Sequence, residues 1–270
     1  MAPRILSLAS LTVRGTAPWD IVDCAAAVGC SHVGLRFLPV IAGEILPPII
    51  DDAANLARLQ ARMAATGVGV LDIEFLWLRP ETDVRAFLPV IEIAARLGAR
   101  ALLVGGADPD RGRFLDRWRA LCDLAAPYKV RPHLEFLPLS DIRTYADGVA
   151  VMQAAAHPNG GLAIDTLHFD RGGSVAADIL PAHHGWMDYM QLCDGYAERP
   201  ANEAELLRQA REDRLPPGSG GIDLAGLLRA LPPDLPISIE CPLKDAARMS
   251  ALERARIAVQ ATRQVLQAIA

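Results

Sequence analysis

The sequence lacks the features that mark membrane-spanning, disulfide-bonded or nucleic-acid-binding proteins. No apolar run approaches the ~20 residues that are needed to span a bilayer. The five cysteines form neither a CxxC pair nor a zinc-finger spacing, a pattern typical of reduced thiols in the cytosol. The formal net charge of −5 disfavours a nucleic-acid partner, because such proteins normally carry a basic face. We therefore expect a cytoplasmic protein with neither a membrane nor a nucleic-acid partner, and a homo-oligomer stays open.

The start of the chain also lacks two signals that its composition suggests at first sight. The segment ILSLASLTV resembles the apolar part of a signal peptide, but a single basic residue, Arg4, precedes it. The overlapping segment SLASLTVRG does not match the glycine-rich phosphate loop that often follows the first strand of an open, doubly wound sheet. We interpret these residues as the first strand of a different α/β fold.

What the chain does contain is a regular alternation of short β-rich runs with longer runs rich in alanine and arginine. The predicted strands cover residues 5–9, 32–37, 68–76, 101–104, 133–137, 162–165, 189–193 and 237–240. The predicted helices cover residues 19–28, 51–66, 84–97, 114–126, 142–156, 175–182, 203–213 and 246–269, with a further short one at 224–231.

Eight strand–helix pairs in this length predict a (β/α)₈ TIM barrel, with a doubly wound open sheet as the alternative. Local signals support the boundaries of the helices. Gly29, Gly67 and Gly98 each stand between a helical run and a strand, where a left-handed residue is wanted. Pro18 stands at a plausible helix start. No linker composition appears, so we predict one domain over residues 1–270.

Four acidic or amide residues end consecutive predicted strands. They are Glu135 in RPHLEF, Asp165 in GLAIDTLHF, Gln191 in YMQLCD and Glu240 in ISIEC. In a TIM barrel the carboxyl ends of the strands meet on one face, where the active site lies. Three carboxylates that converge on one point would repel each other unless a cation lay between them. The pattern therefore predicts one divalent metal.

The ligand types narrow the choice of metal. Three carboxylates and one amide oxygen form a hard, all-oxygen set, which favours Mn²⁺ or Mg²⁺ over Zn²⁺ and leaves Co²⁺ as a possible substitute. The alternative interpretation treats the four residues as unrelated polar side chains at strand ends, where polar residues are common.

The chain resembles the xylose isomerase-like TIM barrels, a superfamily of sugar epimerases, ketose isomerases, dehydratases and zinc endonucleases. The resemblance is sharpest in HLEF, DTLHF, QLCD, PGSGGIDL and IEC. It implies that Glu135, Asp165, Gln191 and Glu240 match the family's metal ligands and that His168 matches the histidine of its Asp-x-x-His motif. Many members carry histidine where this chain has Gln191. This difference, with only six histidines in total, disfavours the endonuclease branch.

The family resemblance implies proton abstraction next to a carbonyl, with an enediolate stabilised by the metal. Glu135 and Glu240 are the expected acid–base pair. We predict an isomerase or epimerase of a small polyhydroxy ketone. One alternative is a dehydratase acting on a cyclic β-hydroxy ketone of the inosose, dehydroshikimate or 3-keto-glycoside type. A more remote one is a non-catalytic, sugar-binding barrel.

Further residues are candidates for contact with the substrate, each with a structural alternative. His168 is a possible acid or base, and His133 points into the barrel with Glu135, as a substrate contact or as a packed core residue. Arg36 suggests a substrate carboxylate or phosphate, with a salt bridge to Glu74 as the alternative. Lys244 is either a substrate contact or an exposed loop residue.

Overall fold

The computed structural model of the protein describes residues 4–40 and 44–269. Its strands are β1 (Leu6–Leu8), β2 (His32–Arg36), β3 (Gly69–Leu78), β4 (Ala101–Gly106), β5 (Arg131–Glu135), β6 (Gly161–Asp165), β7 (Met190–Leu192) and β8 (Ile237–Ile239). They pair in parallel in sequence order, and β1 closes the sheet on β8. The predicted TIM barrel is therefore confirmed. The predicted domain extends over residues 1–3, 41–43 and 270, which lie outside the described residues.

Helices follow the strands around the outside of the barrel. They are α1 (Pro18–Val28), α2 (Ala53–Thr66), α3 (Leu88–Arg96), α4 (Arg111–Ala125), α5 (Tyr145–Ala155), α6 (Thr166–Arg171), α7 (Glu203–Glu212), α8 (Leu224–Ala230) and α9 (Ala251–Ile269). Pro18 begins α1, and the three glycines that follow helical runs all have positive φ, as predicted.

The segment after β6 differs from the prediction. The expected helix over residues 175–182 is wrong, because the structure has two short 3₁₀ turns there, at Ala176–Asp178 and Pro181–Trp186. Pro181 disfavours a helical conformation at the preceding residue and donates no backbone hydrogen bond. The helix instead begins directly after β6, because the Asp165 side chain accepts a hydrogen bond from the backbone N–H of His168. Asp165 and His168 are therefore held one helical turn apart.

The apolar core has two parts. The larger part packs the helices against the outside of the barrel and includes the fully buried side chains of Phe114 and Trp118. The smaller part fills the barrel itself and includes Leu71, Leu103 and Tyr189. Within residues 4–40 and 44–269, no helix combines the length and the apolar character needed to cross a membrane.

Candidate active site

The four predicted ligands lie where four neighbouring strands end. Glu135 and Asp165 are the last residues of β5 and β6, Gln191 is the Cα partner of Asp165 on β7, and Glu240 directly follows β8. All four side chains are buried. The closed barrel brings Glu135 and Glu240, which are 105 positions apart in the chain, to the same end of the sheet.

A buried arginine, which the sequence reasoning missed, joins two of these side chains. The Nη1 of Arg214 donates to Asp165 Oδ2 at 2.5 Å and lies 3.1 Å from Glu240 Oε2. Its Nε donates to the backbone carbonyl of Ala210 at 2.8 Å. Arg214 follows a helix with other arginines, which suggests an exposed residue. The signal that could have identified it is the charge of the three carboxylates, which a side-chain cation can balance as well as a metal.

Burial and mutual repulsion oppose ionisation of the two glutamates. Burial, and then the neighbouring charges of Asp165 and Glu240, raise the pKa of Glu135 well above its usual value. Burial raises the pKa of Glu240 to about 8, although the Arg214 guanidinium acts in the opposite direction. Burial also acts against ionisation of Asp165, but Arg214 and then His168 outweigh it and lower the pKa of Asp165. The site therefore contains one stable carboxylate and two groups that can hold or release a proton.

His168 lies beside the carboxylates with its ring largely buried. Ligand atoms of Glu135, Asp165 and His168 all lie within 4.8 Å of one another. Burial lowers the pKa of His168 to about 4, so its imidazole is neutral at physiological pH. The ring Nδ1 is buried without a hydrogen-bond partner among the described residues. A neutral imidazole with a free nitrogen can bind a metal or donate to a substrate oxygen.

A cavity of about 370 Å³ opens over these side chains. Its polar lining comes from eight charged or ionisable side chains: Arg14, Arg36, Glu44, Glu135, His168, Arg211, Arg214 and Glu240. The rest of the lining is largely apolar and includes Phe75, Trp77, Leu103, Leu137, Leu206 and Leu207. The cavity can therefore place the carbon skeleton of a small molecule against an apolar wall while its polar groups face the carboxylates.

Arg36 lines this cavity, but its charge is already paired. Its Nη2 donates to Glu74 Oε2 at 3.3 Å, and its Nη1 lies 3.5 Å from Glu44 Oε1. Glu74 Oε2 also accepts a hydrogen bond from Ser10. The salt-bridge alternative for Arg36 and Glu74 is thus what the structure contains. Two carboxylates already neutralise Arg36, so its charge does not indicate an anionic substrate.

Two other candidates lie away from the cavity. His133 is fully buried in β5, where its Nε2 lies 3.0 Å from Asp188 Oδ2, just ahead of β7. His133 is absent from the cavity lining of the described residues. It is therefore a packed core residue, the alternative to the expected substrate contact. Lys244 is exposed and lines a neighbouring groove, which shares Leu11, Arg14 and Arg211 with the cavity.

The buried polar groups fit a divalent metal. The Gln191 amide is fully buried, and both of its polar atoms lack a hydrogen-bond partner in the described part of the chain. Glu135 forms no hydrogen bond or ion pair within the same residues, while Asp165 and Glu240 are bridged only by Arg214. Since buried polar groups are normally paired, unpartnered oxygens beside carboxylates are the surroundings that a cation satisfies. His168 adds a nitrogen donor to the predicted oxygen set.

A family model of the xylose isomerase-like TIM barrel matches residues 22–265. The chain therefore belongs to this family, and the predicted resemblance is confirmed.

Individual relatives match the chain more weakly. An inosose isomerase of Halalkalibacterium halodurans is 28% identical over 113 residues, which are 41% of this chain and 38% of the relative. The chain thus spans about two fifths of the length of that relative. The crystal structure of an IolI protein with a binding zinc atom has a TM-score of 0.79 at 18% identity, and the match covers 98% of this chain and 99% of that one. The probable 3-DHS dehydratase AsbF from Bacillus anthracis has a TM-score of 0.73 at 15% identity, and the match covers 96% and 98%.

Proposed function

We propose that the protein is a divalent-metal-dependent isomerase or epimerase of a small polyhydroxy ketone. The observation that carries the proposal is the pair of buried glutamates at the floor of the cavity, with an aspartate, an unpartnered amide and a neutral histidine beside them. The match to an inosose isomerase and the fold shared with a zinc-containing protein support the proposal.

Glu135, Asp165, Gln191 and Glu240 would hold the metal, with His168 as a further possible ligand. When bound, the metal polarises the substrate carbonyl and stabilises negative charge that develops on its oxygen. Mn²⁺ or Mg²⁺ suits the oxygen ligands, and the participation of His168 would shift the preference toward Zn²⁺ or Co²⁺.

The chain's own residues would move the proton. One of the two glutamates takes a proton from the carbon next to the substrate carbonyl, and a glutamate on either face returns it. Burial raises the pKa of both glutamates, which makes their carboxylates stronger bases than a glutamate in water. Return of the proton to the neighbouring carbon isomerises the substrate, and return to the opposite face epimerises it. Arg214 stays within reach of Asp165 and Glu240 and balances their charge.

The apolar wall of the cavity favours a second candidate on the same scaffold, a dehydratase. Phe75, Leu103 and Leu206 suit a carbocyclic substrate better than an open-chain polyol, whose hydroxyls they cannot hydrogen-bond. In this reaction a β-hydroxyl leaves after the proton has been removed.

Incubation with Mn²⁺ and a panel of open-chain and cyclic keto-polyols in D₂O distinguishes these reactions by mass spectrometry. Deuterium uptake at constant composition identifies an isomerase or epimerase, and loss of water identifies a dehydratase. The matched control is the Glu135→Gln, Glu240→Gln double variant, which we expect to be inactive. If the panel stays unchanged while sugars still raise the melting temperature, the protein is a non-catalytic sugar-binding barrel and the proposal is wrong.

A further inference from the structure

A second group of buried oxygens lies on β3, outside the set of proposed metal ligands. Asp72 is fully buried, and neither of its carboxylate oxygens has a hydrogen-bond partner in the described residues. It forms no ion pair within the same residues either. An ionised carboxylate in these surroundings is strongly unfavourable unless a positive charge or a donor compensates it. The Asp72 carboxylate therefore needs a positive charge or a hydrogen-bond donor to compensate its burial.

Glu74, two residues further along β3, shares this environment. Its Oε2 is satisfied, because it accepts hydrogen bonds from Ser10 Oγ at 2.8 Å and from Arg36 Nη2 at 3.3 Å. Its Oε1 is buried and has no partner among the described residues. Arg36 offsets one of the two fully buried negative charges of Asp72 and Glu74, whereas Glu44, its second partner, is partly exposed to solvent.

The unpartnered oxygens of both residues face the same space above Gly34 on β2. A Cβ atom built on Gly34 would lie 2.8 Å from Asp72 Oδ1 and 2.9 Å from Glu74 Oε1. Any larger residue at this position would therefore meet both carboxylates. Gly34 and Asp72 are Cα partners in the β2–β3 ladder, so the arrangement is set by the barrel and not by a mobile loop. The absence of a side chain at Gly34 is what lets both carboxylates approach the β2 backbone at one place.

Further unpartnered oxygens surround this part of the barrel interior. The hydroxyls of Ser7, Tyr189 and Ser238 are buried and have no hydrogen-bond partner in the described residues. Ser7 and Ser238 are Cα partners across β1 and β8. Tyr189 belongs to the apolar cluster inside the barrel together with Leu71, the neighbour of Asp72 on β3. The available donors are oxygens throughout, which is the ligand type of hard cations.

We propose that Asp72 and the Oε1 of Glu74 bind one monovalent cation, Na⁺ or K⁺, inside the barrel. A single positive charge balances the one uncompensated carboxylate, whereas a divalent ion would leave an excess of positive charge. The cation holds Glu74 in place and, through it, the Arg36 side chain that lines the cavity. The ligands of this site differ from those of the proposed divalent site, and the proposal does not depend on the proposed reaction.

Thermal unfolding with different monovalent cations tests the proposal. The melting temperature is measured in NaCl, KCl and tetramethylammonium chloride at equal ionic strength, with EDTA present as its tetramethylammonium salt to remove divalent ions. Tetramethylammonium is too large for the site but screens charge equally. We expect the wild-type protein to melt at least about 2 °C higher in Na⁺ or K⁺. Asp72→Asn, which removes the charge and keeps the shape, abolishes this difference.

The matched control is Asp108→Asn, because Asp108 is also a buried aspartate but is paired with Arg113 and Arg117. This variant melts at a lower temperature and keeps the cation-specific difference. If Asp72→Asn does not fold, Gly34→Ala provides a second variant, since its methyl group enters the space between the carboxylates.

A crystal structure in Rb⁺ or Tl⁺ locates the ion directly. An anomalous peak in contact with oxygens of both Asp72 and Glu74 supports the proposal. Equal melting temperatures of the wild-type protein in all three salts, with no such peak, overturn it. In that case the two carboxylates share a proton.

Discussion

Arg214 balances the negative charge that the carboxylates at the strand ends create. Its guanidinium is almost fully buried between Asp165 and Glu240, so its removal leaves carboxylates without a counter-charge. We predict that Arg214→Met lowers the free energy of unfolding in EDTA by about 3–5 kcal/mol, the usual cost of breaking a buried ion pair from one side. Urea unfolding measures the change.

Addition of Mn²⁺ tests whether a metal can replace Arg214 as the counter-charge of the carboxylates. We expect Mn²⁺ to stabilise Arg214→Met more than the wild-type protein, because the metal then supplies the missing charge. Arg229→Met is the control, since Arg229 lies on α8, is absent from the cavity lining of the described residues and forms no ion pair among them. An unchanged stability of Arg214→Met in EDTA would show that the carboxylates are protonated there.

The acidic residues of the site differ in the roles that we propose. Glu135→Gln and Glu240→Gln keep an oxygen ligand but remove a proton acceptor. Turnover should fall by ~10²–10⁴-fold, the usual loss of a general acid–base group, while metal affinity falls less. Asp165→Asn should lower metal affinity and turnover together, because Asp165 has no proposed proton transfer. Calorimetric metal titration and steady-state kinetics separate the two effects. Near wild-type turnover of both glutamine variants at saturating Mn²⁺ would refute the two-glutamate mechanism.

Among the elements, the loop that follows α7 depends on one buried carboxylate. Asp194 accepts backbone hydrogen bonds from Gly195, Gly218, Gly220 and Ile222, at distances of 2.8–3.1 Å. Two further backbone bonds join Asp194 to Leu215, the neighbour of Arg214. The carboxylate therefore holds the loop at the rim of the site and fixes the point at which Arg214 enters.

We predict that Asp194→Ala lowers the free energy of unfolding by about 3 kcal/mol or more, because several backbone donors lose a charged acceptor. Mn²⁺ should stabilise this variant more than the wild-type protein, since the segment that carries Arg214, the counter-charge of the carboxylates, loses its anchor. Asp223→Ala is the matched control. It removes only the N-cap of α8, at a cost of about 1 kcal/mol. Equal losses in the two variants would show that the loop does not depend on Asp194.

At the scale of the whole molecule, His168 links stability to pH. Burial lowers its pKa to about 4 in the folded protein, against 6.5 for an ordinary histidine, so the unfolded chain binds more protons between these two pH values. The contribution of His168 to the free energy of unfolding is therefore fully present above about pH 6.5 and is lost as the pH falls toward 4. The largest contribution of this residue is about 3 kcal/mol.

The difference between the wild-type protein and His168→Asn isolates this effect from the other titrating groups. We expect the free energy of unfolding in EDTA to fall less steeply between pH 6.5 and 4 for the variant. Parallel curves for the two proteins would mean that His168 is hydrated in the folded state and titrates normally.

The sequence by itself determined the barrel and the positions of its polar strand ends. Strand and helix patterns repeat with different periods, and glycines such as Gly29 and Gly67 end the helices through contacts within a few residues. Once eight parallel strands are known, residues that end consecutive strands must lie on one face. This is why Glu135 and Asp165 could be assigned to one site. The predicted helix over residues 175–182 does not form, although its composition favours one. Pro181 starts a 3₁₀ turn there, and the Asp165 side chain caps a helix directly after β6 instead.

Only the tertiary structure decided which charges neutralise one another. Arg214 and Asp165 are 49 positions apart, and neither local pattern indicates that they meet. The same holds for the pairing of Arg36 with Glu74 and for the position of His133 beside Asp188. Local preferences depend on neighbours along the chain, whereas the energy of a buried charge depends on everything that surrounds it in the folded barrel.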